Sequence, residues 1–269
     1  MHLALIGYGN IAQSTVAWLA ERPVARLTVL VRPTSLGRAQ DDAALKHAAP
    51  VVQVTDQLSD LLQGAPDLVV ECAGHHAVAE AGVAVLHAGF DLVLVSIGAM
   101  ADSDLAQRLQ QAAQAGNAQL ILPSGAIGGI DLLSALALAG GVNVTYRGTK
   151  PPAAWAGTPA AQACDLDGLR EAHVFFEGNA RKAATSYPKN ANVAATLALA
   201  GAGFEATRVA LIADPAATGN CHSCSVESPA GRFSMTIENA ASPDNAKTSR
   251  ATVYSVIREI NRKRDRVVI

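Results

Sequence analysis

Through the first half of the chain, near-continuous runs of valine, leucine and isoleucine alternate with alanine-rich stretches. The runs HLALIG, RLTVLVR, PDLVVECAG, FDLVLVSIG and AQLILPSGA read as short buried strands. Between them NIAQSTVAWLAER, DQLSDLLQG, HHAVAEAGVAVLHAG and ADSDLAQRLQQAAQAGN read as helices, the last with Asp102 or Ser103 as its cap. Strands without a polar face, separated by helices, belong in a parallel sheet covered on both sides. The pattern predicts a doubly wound α/β domain over residues 1–124.

After GAIGGIDLLSALALAGG, which reads as a helix, the rhythm changes. NVTYRGTK, REAHVFFEG, ATRVALIAD, CHSCSVESP and GRFSMTIEN are strand-like, several with alternating apolar and polar positions, and NVAATLALAGAG is the one clear helix among them. Residues 125–269 are therefore expected to form an α+β domain with a mostly antiparallel sheet. An amphipathic helix is expected over 247–264, introduced by the turn SPDN and free to return to the first domain.

Composition narrows the classes of function. The 269 residues are half apolar and 16% charged with a formal net charge of −2, which suits neither disorder nor a nucleic-acid surface. A small molecule is the expected partner. The N-terminus MHLALIGYGN lacks the basic flank and apolar length of a signal peptide, and the most apolar window, Gly125 to Val142, holds Asp131 and several glycines. No membrane association and a cytoplasmic location are expected. Cys72, Cys164, Cys221 and Cys224 are too few and too scattered for a disulfide framework.

The first chemical signal is Gly7-Tyr8-Gly9-Asn10-Ile11-Ala12, a G-x-G-x-x-A motif between the first strand and the first helix. In a Rossmann-type dinucleotide site, such a turn uses its first glycine for the bend and its second for close approach of the pyrophosphate. Ala12 permits tight helix–strand packing, and the helix N-terminus presents free N–H groups to the phosphates. At the end of the second strand, where an NAD site carries an Asp or Glu for the ribose hydroxyls, the sequence has Val31, Arg32 and Pro33. A guanidinium there can pair with a 2′-phosphate or stand as a solvated charge, so NAD and NADP both remain open.

The second signal is GNCHSCSVE, Gly219 to Glu227. On a strand, Cys221 and Ser223 face one way while His222 and Cys224 face the other, so the two thiols cannot jointly grip a metal. The helical setting of a redox C-x-x-C is also missing. His222 is left as a candidate proton carrier or a satisfied structural histidine, with His75 and His76, after the VVECAG strand, as its strongest rivals.

Taken together, GYGNIA, LPSGAIGGIDLL, YPKNANVAATLALAG, GNCHS and IENAASPDNAKTS resemble the L-aspartate dehydrogenase family over nearly the whole chain. The resemblance implies an N-terminal Rossmann domain, a C-terminal α+β domain and a homodimer. It also implies NAD(P)-linked oxidation of L-aspartate to iminosuccinate, then oxaloacetate and ammonia, able to feed NAD biosynthesis. Carried over by position, it makes His222 the active-site histidine and Ala126 and Asn192 cofactor contacts, beside Gly7, Gly9, Asn10, Ile11 and Arg32 of the first domain. For the substrate carboxylates the cationic candidates are Lys189 and Lys247, with Asn220 and Thr248 as polar neighbours. The rivals are a homoserine dehydrogenase or dihydrodipicolinate reductase type of enzyme, and a dinucleotide sensor without catalysis.

Overall fold

The computed structural model describes residues 1–188, 191–242 and 245–269, with side chains described for all of these except 241–248. The chain divides into two compact units, Met1–Pro123 with Val253–Ile269, and Ser124–Thr252.

The first unit is built on β1 (His2–Ile6), β2 (Arg26–Leu30), β3 (Val51–Thr55), β4 (Leu68–Glu71), β5 (Leu92–Leu94) and β6 (Leu120–Ile121). They lie in the order β3-β2-β1-β4-β5-β6, and every pairing is parallel. This is the expected Rossmann-type sheet. Its cause is visible in the central strands, where Leu3, Leu5, Leu68, Val70, Leu92 and Leu94 expose no surface. Burying each such side chain is worth about 1.5–3 kcal/mol, which only helices on both faces can provide. The strand order reverses between β1 and β4, and this is where open sheets of this kind bind their ligands.

Two features of this unit depart from the expected pattern. β3 is an edge strand whose VVQVT run is only partly buried, and short helices at Leu36–Gln40 and Ala44–Ala48 lead into it. Elements this short are barely visible to hydrophobic periodicity. The stretch from His75 to His87 is helical as expected, but it carries a π-type turn at Val78–Gly82. Asp102 is the cap of helix Ser103–Gly116, accepting from the N–H groups of Asp104 and Leu105 at 3.0 and 3.1 Å.

The second unit holds β7 (Asn143–Lys150), β8 (His173–Asn179), β9 (Arg208–Ala213), β10 (Asn220–Ser228) and β11 (Gly231–Asn239), in the order β11-β10-β7-β9-β8. Only β7 and β9 run parallel, so the sheet is mixed and mostly antiparallel. On β7, Val144, Tyr146, Gly148 and Lys150 share the buried face; on β10, Asn220, His222, Cys224 and Val226 do. Helices Ile130–Ala137 and Asn192–Ala200 pack against each other and against this unit's sheet. The first is shorter than the apolar stretch that predicts it.

The helix expected over 247–264 begins at Arg250. Residues Asn245–Ser249 instead form β13, paired antiparallel with β12 (Ala241–Ser242). A cross-strand partner takes up backbone groups that a longer helix would have used internally, a choice made by tertiary pairing. The helix itself places Val256 and Ile260, both without exposed surface, in the apolar cluster formed by Leu3, Leu5, Val16 and Leu27. Among the described residues no helix is long and apolar enough to cross a membrane.

Candidate functional site

In the first unit, the Gly7–Gly9 turn lies at the mouth of a cleft of about 920 Å³. Gly7 has φ +94°, and a Cβ on it would stand 2.7 Å from Cβ of Ala73, so the bend and the neighbouring chain both demand glycine. Gly9 differs: its φ is −91°, and an added Cβ would meet nothing within 4 Å. The space that glycine keeps open there is of the kind a diphosphate needs.

Helix Asn10–Leu19 starts directly at this point, with no side-chain cap and no acidic residue in its first turn. Its leading N–H groups are left for an anion. Asn10 Oδ1 is buried and without a hydrogen-bond partner among the described residues. The open space at Gly9, the uncapped helix and this orphaned oxygen together fit a bound dinucleotide. Ile11 follows on the same first turn, and Arg32 lines the cleft from the end of β2.

The far wall is held by a carboxylate that sequence reasoning missed. Glu71 ends β4 with no exposed surface. Its oxygens accept from the N–H groups of Ala73, Gly74 and Ser96 at 2.7, 2.8 and 3.0 Å, and from the Ser96 hydroxyl at 2.9 Å. Burial pushes its carboxyl up, and the hydrogen bonds oppose that shift. The group ties the turn after β4 to the end of β5 and so fixes Ala73 against Gly7. Of the rival histidines, His76 is exposed on this rim and pairs with Glu80, Nδ1 to Oε2 at 2.8 Å, while His75 begins the helix beside it.

In the second unit, His222 is 3% exposed on β10, facing inward with Asn220 and Cys224, while Cys221 and Ser223 lie on the other face. Its partner is Tyr146 of β7, whose hydroxyl is 2.7 Å from Nδ1, the two rings stacked with an interplanar angle of 19°. Burial pushes the phenol well above its ordinary range, so it stays protonated. Lys150 lies on the same face of β7, 5% exposed, with Nζ 5.1 Å from the Trp155 ring centre. Burial, followed by the nearby Lys150 charge, lowers His222 to about 4. The imidazole is therefore neutral at physiological pH, with a lone pair available to take a proton.

Asn220 is buried and lies opposite Asn239 across the β10–β11 ladder. Asn239 in turn donates from Nδ2 to the Ala126 carbonyl at 2.9 Å, which anchors the glycine-rich turn before helix Ile130–Ala137. Asn192 opens its helix, and its carbonyl accepts from the Thr196 hydroxyl at 3.0 Å. Thus His222 and Asn220 share one sheet face, Ala126 is tied to its margin, and Gly7, Gly9 and Arg32 line the cleft of the first unit, with Asn10 and Ile11 on the helical turn that follows Gly9 but outside the cleft lining. Lys189 lies outside the described residues; Lys247 and Thr248 lie on β13, with side chains outside the described set. Among the described residues no group of three or more His, Cys, Asp or Glu is placed to hold a metal ion.

The chain is similar to known proteins along its whole length. A family model described as aspartate dehydrogenase, C-terminal, matches residues 131–263, and one described as homoserine dehydrogenase, NAD binding domain, matches residues 7–123. An L-aspartate dehydrogenase of Cupriavidus necator is 43% identical over 270 residues, covering all of both chains. The chain belongs to the aspartate dehydrogenase family. Another L-aspartate dehydrogenase, from Ruegeria pomeroyi, is 45% identical over 98% of this chain and 92% of its own. The crystal structure of the Thermotoga maritima aspartate dehydrogenase superposes with a TM-score of 0.78 at 29% identity, covering 100% of this chain and 99% of that one.

Within this family frame, Tyr146 and Lys150 are the functional candidates that reading the sequence overlooked. Both stand on a run, NVTYRGTK, that announces itself only as a strand. Its alternation did hold a signal, because it puts a lysine at a position of the same parity as buried Val144 and Tyr146. A lysine at a core position is rare unless it is engaged.

Proposed function

We propose that the protein oxidises L-aspartate with NAD(P), in a reversible reaction giving iminosuccinate, which hydrolyses to oxaloacetate and ammonia. The observation that carries this reading is full-length agreement with an L-aspartate dehydrogenase at 43% identity. It is supported by a buried, neutral histidine in the half matched by the family's own C-terminal model.

Bound NAD(P) supplies the hydride acceptor. Around it, Gly7, Gly9, Asn10 and Ile11 hold the pyrophosphate, Arg32 stands at the adenosine ribose, and Ala126 and Asn192 add further cofactor contacts. Oxidation at C2 needs the substrate amine in its neutral form, and then a water to attack the imine. With Nδ1 donating to the Tyr146 oxygen, Nε2 of His222 keeps a lone pair, takes the proton the amine loses and passes it to solvent; neutral again, it takes a proton from the attacking water and returns it to the departing amine. The two substrate carboxylates raise the histidine's basicity as they arrive, because a nearby negative charge favours the imidazolium. Lys150 provides a cation for one carboxylate; Asn220, Lys189, Lys247 and Thr248 are the remaining candidates for the other. The protein works as a homodimer, and its product supplies NAD biosynthesis.

The test follows NAD(P)H absorbance with L-aspartate, with L-homoserine, and with oxaloacetate plus ammonia. Signal with the first and last alone is expected. Turnover of homoserine but not aspartate overturns the reading in favour of a homoserine dehydrogenase, and silence on all three favours a dinucleotide-binding protein of another kind.

A further inference from the structure

The end of β2 holds more positive charge than a ribose diol requires. In a site selective for NAD, a carboxylate there accepts from the two adenosine ribose hydroxyls. Here Val31 is buried and hydrogen-bonded through its N–H to the Thr55 carbonyl at 2.9 Å, and the chain then turns through Arg32 and Pro33. Pro33 restricts Arg32 to extended backbone, φ −68° and ψ 151°. The turn closes with the Ser35 N–H donating to the Arg32 carbonyl at 2.8 Å. Helix Leu36–Gln40 then carries Arg38 three positions beyond Ser35, on the same side of the backbone. Arg32, Ser35 and Arg38 all line the cleft that holds the Gly7–Gly9 turn.

Charge partners decide what these groups are for. Neither the Arg32 nor the Arg38 guanidinium has a hydrogen-bond or ion-pair partner among the described residues. The neighbouring carboxylates are otherwise engaged. Asp42 accepts from the Tyr8 hydroxyl at 2.9 Å and from the Ala44 N–H at 2.9 Å. Asp56, which also lines the cleft, accepts from the Gln57 amide at 2.8 Å. Two guanidiniums lining one cleft, together with a hydroxyl, make a poor seat for a neutral diol and a good one for a phosphate dianion. Arginine's planar fork is matched to such an anion.

We propose that Arg32, Ser35 and Arg38 form a 2′-phosphate subsite, so that this protein binds NADP(H) in preference to NAD(H). The inference rests on the cleft being the dinucleotide site, and it is independent of which substrate the protein oxidises.

Calorimetric titration with 2′,5′-ADP and with 5′-AMP tests it directly, alongside fluorescence titration with NADPH and NADH. The wild-type protein is expected to bind each 2′-phosphorylated ligand at least about ten-fold more tightly than its partner. Arg38→Ala should weaken NADPH about ten-fold or more while NADH stays within about two-fold, Arg32→Ala should weaken NADPH by more than it weakens NADH, and Ser35→Ala should have a smaller effect on NADPH. Both arginines are exposed, so these variants are expected to melt as the wild type does. Arg32→Asp, which restores a ribose acceptor, should reverse the preference. Equal affinity for 2′,5′-ADP and 5′-AMP overturns the subsite, as does an Arg38→Ala protein that loses NADH and NADPH equally, or one that binds no dinucleotide at all. None of these titrations contains aspartate. A protein that prefers NADPH but fails to oxidise aspartate overturns the activity and leaves the subsite standing.

Discussion

At the scale of single residues, the informative object is the set His222, Tyr146 and Lys150 on one sheet face. His222→Ala is expected to lower turnover about a hundred-fold or more while NADPH affinity stays near wild type; steady-state rates and a binding titration check both halves, and near-normal turnover removes the residue from the chemistry. Lys150→Met keeps an apolar stem against Trp155 but removes the charge. It should raise the His222 pKa from about 4 toward its ordinary 6.5, read from the imidazole signals in an NMR pH titration. The linked effect on stability has a definite sign. The folded value lies below the unfolded one, so between pH 6.5 and about 4 the unfolded chain binds the proton first. This residue's contribution is complete above 6.5 and is lost as the pH falls toward 4.

At the scale of elements, the strand–turn–helix unit from β1 to helix Asn10–Leu19 makes two glycines separable. Gly7→Ala adds a methyl carbon 2.7 Å from Ala73 Cβ at a backbone φ of +94°, so both strain and overlap arise. A stability loss of about 2 kcal/mol or more is expected, with loss of nucleotide binding. Gly9→Ala has an ordinary φ and open space, so the protein should melt as wild type yet bind dinucleotide more weakly, because the methyl group occupies room needed by the pyrophosphate. Thermal melts with calorimetric titration distinguish the two. If both variants lost stability, the space at Gly9 would be structural and not a ligand's.

At the scale of the whole molecule, the last helix belongs to the core of the first unit although it follows the second in sequence. Its apolar face carries that role. The Arg22–Asp265 and Lys263–Asp91 ion pairs, at 2.7 and 2.6 Å, involve half-exposed basic side chains and contribute little. Ile260 exposes no surface among the side chains under β1 and β2. Ile260→Ala should therefore cost about 2–5 kcal/mol, with amide-exchange protection falling in β1 and β2 more than in β7 and β10. Equal losses in both sheets would mean that the units unfold as one.

The residue pattern alone determined the parallel sheet, because strands buried on both faces must be apolar throughout and the helices between them must supply the cover. It also determined the nucleotide turn, since Gly7 to Ala12 is contiguous, and the facing of His222 relative to its thiol neighbours, since a strand's period is local. Tertiary structure decided the rest. The edge strand β3, half-buried and with a polar Gln53 at its centre, and the strand at Asn245–Ser249, mostly polar, lack the continuous apolar run of the central strands, and pairing makes them strands. Tyr146 meets His222 across 76 positions of sequence, and only the antiparallel register of β7 with β10 brings the hydroxyl to the imidazole. Arg38 joins Arg32 because a short turn and a five-residue helix fold back over the cleft. Local spacing tells which face a side chain takes; what stands opposite it is set by contacts between distant segments, whose formation depends on burial summed over the whole chain.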